Sequence, residues 1–298
     1  MTTTSLRPSS RPARRAARAA AALAVAATAA TAVVAPGSAA PSDRTALSPR
    51  PAQPLQVAYG LAGDTLVEFR LGAPGAARVV GEIRGLRDER LVGVDVRPAN
   101  GRLYGVGRRG GLYVIDTDDA RAERVQRLTV RLRGGAWDID WNPAADALRI
   151  VSNRGQNLRH VPADRETFAD AQLNVPDTDP RVTGITGAAY TNNDTSETSG
   201  TALYVINTGA DNVALQVPAN AGIITGQGAL SRKVQGDVGF DIHSTRTVGG
   251  TTRTNEALVV TRAGGTSTLW QLDVQTGDLS RVGDFPARFA VTDLAIAD

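Results

Sequence analysis

"GVDVRPANGRLYGVG", Gly93 to Gly107, sets an aspartate between two valines, then a turn, then a second apolar run. "DIDWNPAADALRIVS", Asp138 to Ser152, repeats the phrase, and "GFDIHS" at Gly239 repeats it again ahead of a polar insert and "EALVVT". Extending the comparison outward adds "AAYTNN" at Ala188 and "DLAIAD" at Asp293. The five starts lie 45, 50, 51 and 54 residues apart.

Each of the first four phrases is followed by a second apolar run: "RLYGVG" at Arg102, "ALRIVS" at Ala147, "ALYVIN" at Ala202 and "ALVVTR" at Ala257. A third run follows: "GLYVID" at Gly111, "NLRHVP" at Asn157, "VALQVP" at Val213 and "TLWQLD" at Thr268. A weaker fourth includes "RVQRLTV" at Arg124 and "LSRVGDF" at Leu279. Short runs rich in Val, Ile, Leu and Tyr, bounded by Gly, Asn, Asp and Pro, predict strands. Four strands recurring about every fifty residues predict propeller blades. The ends complete the count. "LQVAYG" (Leu55), "TLVEFR" (Thr65) and "ARVVGEI" (Ala77) match second, third and fourth strands, and the missing first strand is the C-terminal "VTDLAIAD". The expected fold is therefore all-β: a five-bladed β-propeller closed by pairing the C-terminal strand with the N-terminal blade. Closure of this kind leaves no open sheet edge between the first and last blades.

Side chains alternate along a strand. Val94 and Val96, Ile139 and Trp141, Phe240 and Ile242, and Leu294 and Ile296 should pack between sheets. Asp95, Asp140, Tyr190, Asp241 and Ala295 should face the central channel, with Asp138 and Asp293 one layer away. "GRLYGVGRRGGLYVID", "DIDWNPAADALRIVSNRGQNLRHVPAD", "AAYTNN" and "LDVQTGDLSRVG" resemble the secreted bacterial family called domain of unknown function 4394, over about Val57 to Asp298. The resemblance implies a propeller-like extracellular domain and transfers no catalytic residue.

The first 39 residues read as a secretory signal peptide. Arg7, Arg11, Arg14, Arg15 and Arg18 form a basic start, Ala19 to Ala35 is apolar, and Gly37, Ser38 and Ala39 supply small residues for cleavage. Arg14-Arg15 leaves twin-arginine export open beside the general secretory route. Residues 40–54 are Pro-rich and aperiodic and read as a flexible linker, and residues 55–298 as one propeller domain. The formal charge of +3 includes those five arginines and no acid from the leader, so the remainder carries about −2. A nucleic-acid partner loses its support, and after leader removal no segment is suited to span a membrane. With no cysteine among 298 residues, disulfides and thiolate chemistry are excluded.

Asp95, Asp140 and Asp241 are the candidate channel carboxylates. Three carboxylates facing one axis suit a structural cation, the only cofactor the sequence admits, or acid/base work on a glycosidic bond. Against catalysis, they are copies of one repeat position, whereas catalytic acids need unlike environments. The third reading is structural, each Asp bonding backbone of the next blade. "GVGRRG", Gly105 to Gly110, has the form GxGxxG, but a strand follows it and not a helix, so a hairpin turn is expected. His160 and His243 sit at different repeat positions, and no catalytic metal is assigned.

Turns between second and third strands share one propeller face. They offer Asp64, Arg108, Arg109, Asn153, Arg154, Gln156, Asn157, Asp211 and Asn212. Arginines and amides suit hydroxyl-rich or carboxylate ligands. Solvated turns would look the same in sequence. The long inserts "NNDTSETSG" and "STRTVGGTTRTNE" fall on the opposite face and read as mobile loops. The leading expectation is a secreted, non-enzymatic, monomeric propeller that binds an extracellular glycan, small molecule or protein. The alternative is an extracellular glycoside hydrolase using the channel carboxylates.

Overall fold

Among the described residues, alternating apolar runs between Gly- and Asn-containing turns produce twenty strands, which the computed structural model arranges as five antiparallel four-stranded sheets. The structure describes residues 56–176, 181–196 and 198–297; the leader and the linker lie outside them. Blade II is β4 (Leu91–Arg97), β5 (Arg102–Gly107), β6 (Gly111–Ile115) and β7 (Ala122–Arg127). Blade III is β8 (Trp137–Asn142), β9 (Ala147–Ser152), β10 (Asn157–Val161) and β11 (Glu166–Ala169). Blade IV is β12 (Ile185–Tyr190), β13 (Leu203–Asn207), β14 (Asn212–Gln216) and β15 (Ile224–Ala229). Blade V is β16 (Gly239–Arg246), β17 (Thr252–Ala263), β18 (Thr266–Leu272) and β19 (Leu279–Asp284).

Blade I comes from both ends of the described chain. β20 (Asp293–Ile296) pairs antiparallel with β1 (Val57–Ala62), Ala58 opposite Ile296 and Leu61 opposite Asp293. β2 (Thr65–Arg70) and β3 (Ala73–Glu82) complete the sheet. The ring is thus a five-bladed β-propeller, closed as the repeat predicts.

The core is divided into five apolar layers, one between each pair of neighbouring blades. Val94 and Val96 pack with Leu61 and Leu66 between blades I and II. Ile139 and Trp141 pack with Val106 and Leu112 between II and III. Phe240 and Ile242 meet Ile206 and Val213 between IV and V, and Leu294 and Ile296 meet Leu258 and Val260 between V and I. The first-strand residues expected between the sheets all lie there. Gly239 shows how closely the inner strands approach: a Cβ there would lie 2.5 Å from the Cα of Asp293.

Two local readings are corrected. "RVQRLTV" is not one strand, because β7 ends at Arg127. Beyond it, the Thr129 amide donates to Thr167 Oγ of blade III (3.1 Å), and the Thr167 amide donates back to Thr129 Oγ (3.0 Å). Residues 128–136 are therefore the crossing from blade II to blade III. The "STRTVGGTTRTNE" insert is a hairpin extension, not a loose loop: His243, Ser244 and Thr245 pair with Glu256, Asn255 and Thr254. Threonines suit a pleated, half-exposed strand, so a polar composition concealed strand structure. "GVGRRG" is the end of β5 and the hairpin turn into β6, with Gly110 at φ +87° and its amide donating to the Gly107 carbonyl (2.7 Å).

Candidate functional site

Two arrangements of polar side chains stand out, one on the ring axis and one on a face. On the axis, Asp95, Asp140 and Asp241 are buried, with a carboxylate oxygen from each inside 4.8 Å of the others. They come from blades II, III and V, so they converge across the channel. Each also clasps the next blade. Asp95 accepts from the Trp141 amide (2.7 Å), Asp140 from Tyr190 (3.0 Å) and Asp241 from Ile296 (2.7 Å). One layer away, Asp138 accepts from Ala188 (2.8 Å) and Asp293 from Val94 (2.8 Å). Asp95, Asp138, Asp241 and Asp293 each spend the other carboxylate oxygen on the following amide of their own strand.

These bonds join four of the five blade junctions. The fifth, between IV and V, has Tyr190 at the repeat position and is joined by amides. Asn193 donates to the Ile242 carbonyl (3.0 Å), Asn192 and Asn255 exchange bonds (3.1 and 2.9 Å), and Thr252 donates to Asp194 (2.7 Å). The 192–200 insert thus supplies part of the missing clasp.

Burial disfavours charge on these acids. The carboxyls of Asp95, Asp138 and Asp140 are raised well above the ordinary range, first by desolvation and then by one another and neighbouring Asp241 or Asp293. Burial raises Asp293 to about 8. Three oxygens at this separation could ligate a hard cation, or the carboxyls could share protons.

On the face, the turns between second and third strands meet the blade-to-blade crossings. Asn153 N–H donates to the Ala136 carbonyl (3.1 Å), and Leu230 N–H donates to the Asp211 carbonyl (2.8 Å). Here two adjoining cavities of about 600 and 650 Å³ share Arg108, Val130 and Arg131. The first also takes in Glu89, Arg109 and Arg127, and the second Arg133, Arg154, Gln156, Asp170 and Arg181. The crossing explains the arginines. Leu128 and Leu132 are buried in the blade II–III core, which turns Arg131 and Arg133 outward. The Gln156 side chain clamps the segment, donating to the Arg131 carbonyl (2.9 Å) and accepting from the Arg133 amide (2.7 Å). Arg108 lies over the Trp137 ring, 4.4 Å from its centroid.

Of the residues proposed from sequence, Arg108, Arg109, Arg154, Gln156 and Asn157 line these cavities. Asn157 is spent on structure: buried, it accepts from Arg149 (2.8 Å) and Gln216 (3.2 Å) and donates to the Ala171 and Ala219 carbonyls. Asn153, Asp211 and Asn212 lie elsewhere. Asn153 accepts from the Gly135 amide (3.0 Å), Asp211 accepts from Val234 (3.2 Å), and Asn212 lies in β14. Asp64 takes part in a turn, its carbonyl accepting from the Ile83 amide (2.7 Å). His160 is buried between Thr167 and Gln126, and burial lowers its pKa. Arg127, Arg131, Arg133 and Arg181 were not among the sequence candidates. For Arg131 and Arg133 the signal was the alternation in "VRLRGG", and Arg127 fell inside "RVQRLTV", which reads as strand.

A family model described as domain of unknown function (DUF4394) matches residues 65–295. No curated protein matches the chain. Among solved structures, an auxiliary nutrient binding protein from Bacteroides thetaiotaomicron is 17% identical, with a TM-score of 0.37, over 65% of this chain and 41% of that one. An auxiliary nutrient binding protein from Bacteroides ovatus is 12% identical, with a TM-score of 0.42, over 74% and 53%. A gluconolactonase from Xanthomonas campestris is 16% identical, with a TM-score of 0.43, over 78% of each chain. The chain spans about half the length, or less, of the two Bacteroides proteins. At this likeness neither nutrient binding nor gluconolactonase activity transfers to it.

Proposed function

The chain belongs to the DUF4394 family, and from that premise we propose that it is a secreted, non-enzymatic propeller that binds an extracellular polar ligand on the face where blades II and III meet. The observation that carries this reading is the pair of adjoining cavities sharing Arg108 and Arg131. Their size suits a ligand rather than a single ion, and their polar groups stand on clamped backbone. No helix among the described residues is long and apolar enough to cross a membrane. Export rests on the leader pattern alone and predicts a mature N-terminus near Ala40, which N-terminal sequencing of culture-medium protein checks. An intact Met1 on cytoplasmic protein would overturn it.

The hydrolase alternative is disfavoured by geometry. Two-carboxylate glycosidases set their acids beside an open sugar site, whereas the channel acids are buried and bonded to backbone. A binding screen of the full chain against oligosaccharides and small metabolites, with reaction products assayed in parallel, tests the choice. Binding lost in Arg154→Ala without product supports the binding face. Product formation lost in Asp140→Asn would install the hydrolase reading instead.

A further inference from the structure

We propose that the ligand of this face is an acidic oligosaccharide, held through its carboxylate or sulfate groups by the arginines of the blade II–III crossing; the inference rests on the binding reading above. Among the described residues, the two acids lining the cavities are already paired. Glu89 accepts from Arg109 (2.6 Å), and Asp170 is shared between Arg149 (2.8 Å) and Arg159 (3.3 Å). Arg127, Arg131, Arg133 and Arg154 are exposed and pair with no acid among the described residues. Among the described residues, the cavities therefore carry a surplus of positive charge, on a chain that is nearly neutral once its leader is set aside. A guanidinium presents a planar fork that matches carboxylate and sulfate oxygens two at a time.

Shape and lining narrow the ligand further. Two cavities joined through Arg108 and Arg131 offer more room than one small anion fills, so a chain bearing several anionic groups fits better than free phosphate. Among the described residues, no aromatic side chain lines either cavity. Single-stranded nucleic acid needs aromatic platforms for its bases, and a neutral sugar would find neither a stacking surface nor a use for the charges. Trp137 is no platform, because it is buried beneath Arg108.

The test measures binding of the full chain to polygalacturonate, dextran sulfate, polyphosphate and uncharged dextran, at low and raised salt. The variants are Arg131→Ala/Arg133→Ala, Arg154→Ala, and Arg102→Ala on the opposite face, with thermal melts confirming that each folds. The expected result is binding to polygalacturonate or dextran sulfate, weakened by about tenfold or more in the double variant and steeply by salt. Arg102→Ala should bind as wild type. Which polymer binds distinguishes carboxylate from sulfate. Polyphosphate binding alone, or polyanion binding untouched by the double variant, overturns the inference. Uncharged dextran bound and then lost in Arg154→Ala would keep the binding face and sink its anionic ligand. Binding to none of the polymers overturns the inference while leaving the broader metabolite screen to decide the binding face.

Discussion

Each channel aspartate is both a clasp and a titratable group, and the two roles oppose each other. Asp95 satisfies two buried amides, Val96 (2.6 Å) and Trp141 (2.7 Å). Asp95→Ala should cost about 1–3 kcal/mol for each amide left without an acceptor. Asp95→Asn keeps an acceptor and sheds the charge, so its urea midpoint should lie clearly above that of Asp95→Ala; equal midpoints would show that the clasp contributes nothing. Titration follows from the raised pKa values of Asp95, Asp138, Asp140 and Asp293. A group raised on folding gives its full stabilisation below its unfolded value, near 3.8, and loses it as pH climbs through its folded value, about 8 for Asp293. Glu89, Asp194 and Asp284 are lowered and act in the opposite sense, but they lie at the surface, where solvent and salt screen them. His160, lowered by burial, loses its contribution on the acid side of its ordinary 6.5. Between about pH 6.5 and pH 9 the melting temperature should therefore fall by roughly 5 °C or more. If a cation and not protons neutralised the cluster, stability would instead rise with pH and a chelator would lower the melting temperature.

At the scale of elements, the stretch that matters most is the crossing from β7 to β8. Its leucines anchor it in the blade II–III core while its arginines face the cavities, and Gln156 holds the backbone between them. Gln156→Ala should lower stability only slightly, by about 0.5–1.5 kcal/mol for the lost hydrogen bonds. It should still speed amide exchange at Arg133, which loses its acceptor, and weaken any ligand held by Arg131 and Arg133. Exchange at Arg133 unchanged from wild type would mean that the clamp does not order the crossing. The β16–β17 hairpin has a comparable role at the junction of blades IV and V, where Asn255 bonds Asn192 and Thr252 bonds Asp194 in place of an axial aspartate.

For the whole molecule, stability depends on a closure made by the last strand. Val291, Leu294 and Ile296 are 0%, 2% and 3% exposed. Burying each contributes roughly 1.5–3 kcal/mol, against a total of about 5–15 kcal/mol for a typical domain. The same segment carries Asp293, which clasps blade II, and Ile296, which is clasped by blade V. Deleting residues 291–298 should abolish the cooperative thermal transition and expose the edges of two blades to aggregation. Deleting residues 41–48 of the sequence-read linker should leave the transition where it is. Two equally small shifts would mean that the ring does not depend on this strand.

The number of blades, the closing strand, the residues between the sheets and the axial aspartates were all legible in the sequence. Each follows from strand periodicity and from one phrase recurring at blade-length intervals, and such patterns survive without knowledge of contacts. The chemistry of the face was only partly legible. Arg108, Arg109 and Arg154 sit in turns that the repeat locates. Arg131 and Arg133 lie on a crossing whose alternation imitates a strand, and nothing local shows that Thr129 leaves its own sheet to bond Thr167. Asn157 carried the reverse error: a turn-end amide reads as available until Arg149, Gln216 and two carbonyls from other segments occupy it. Pairing of this kind joins residues far apart in the chain, such as Asn157 with Ala219 or Asp293 with Val94. Tertiary structure alone decided which polar groups are spent within the fold and which are left facing a ligand, because a hydrogen bond or ion pair exists only where folding brings its two partners together.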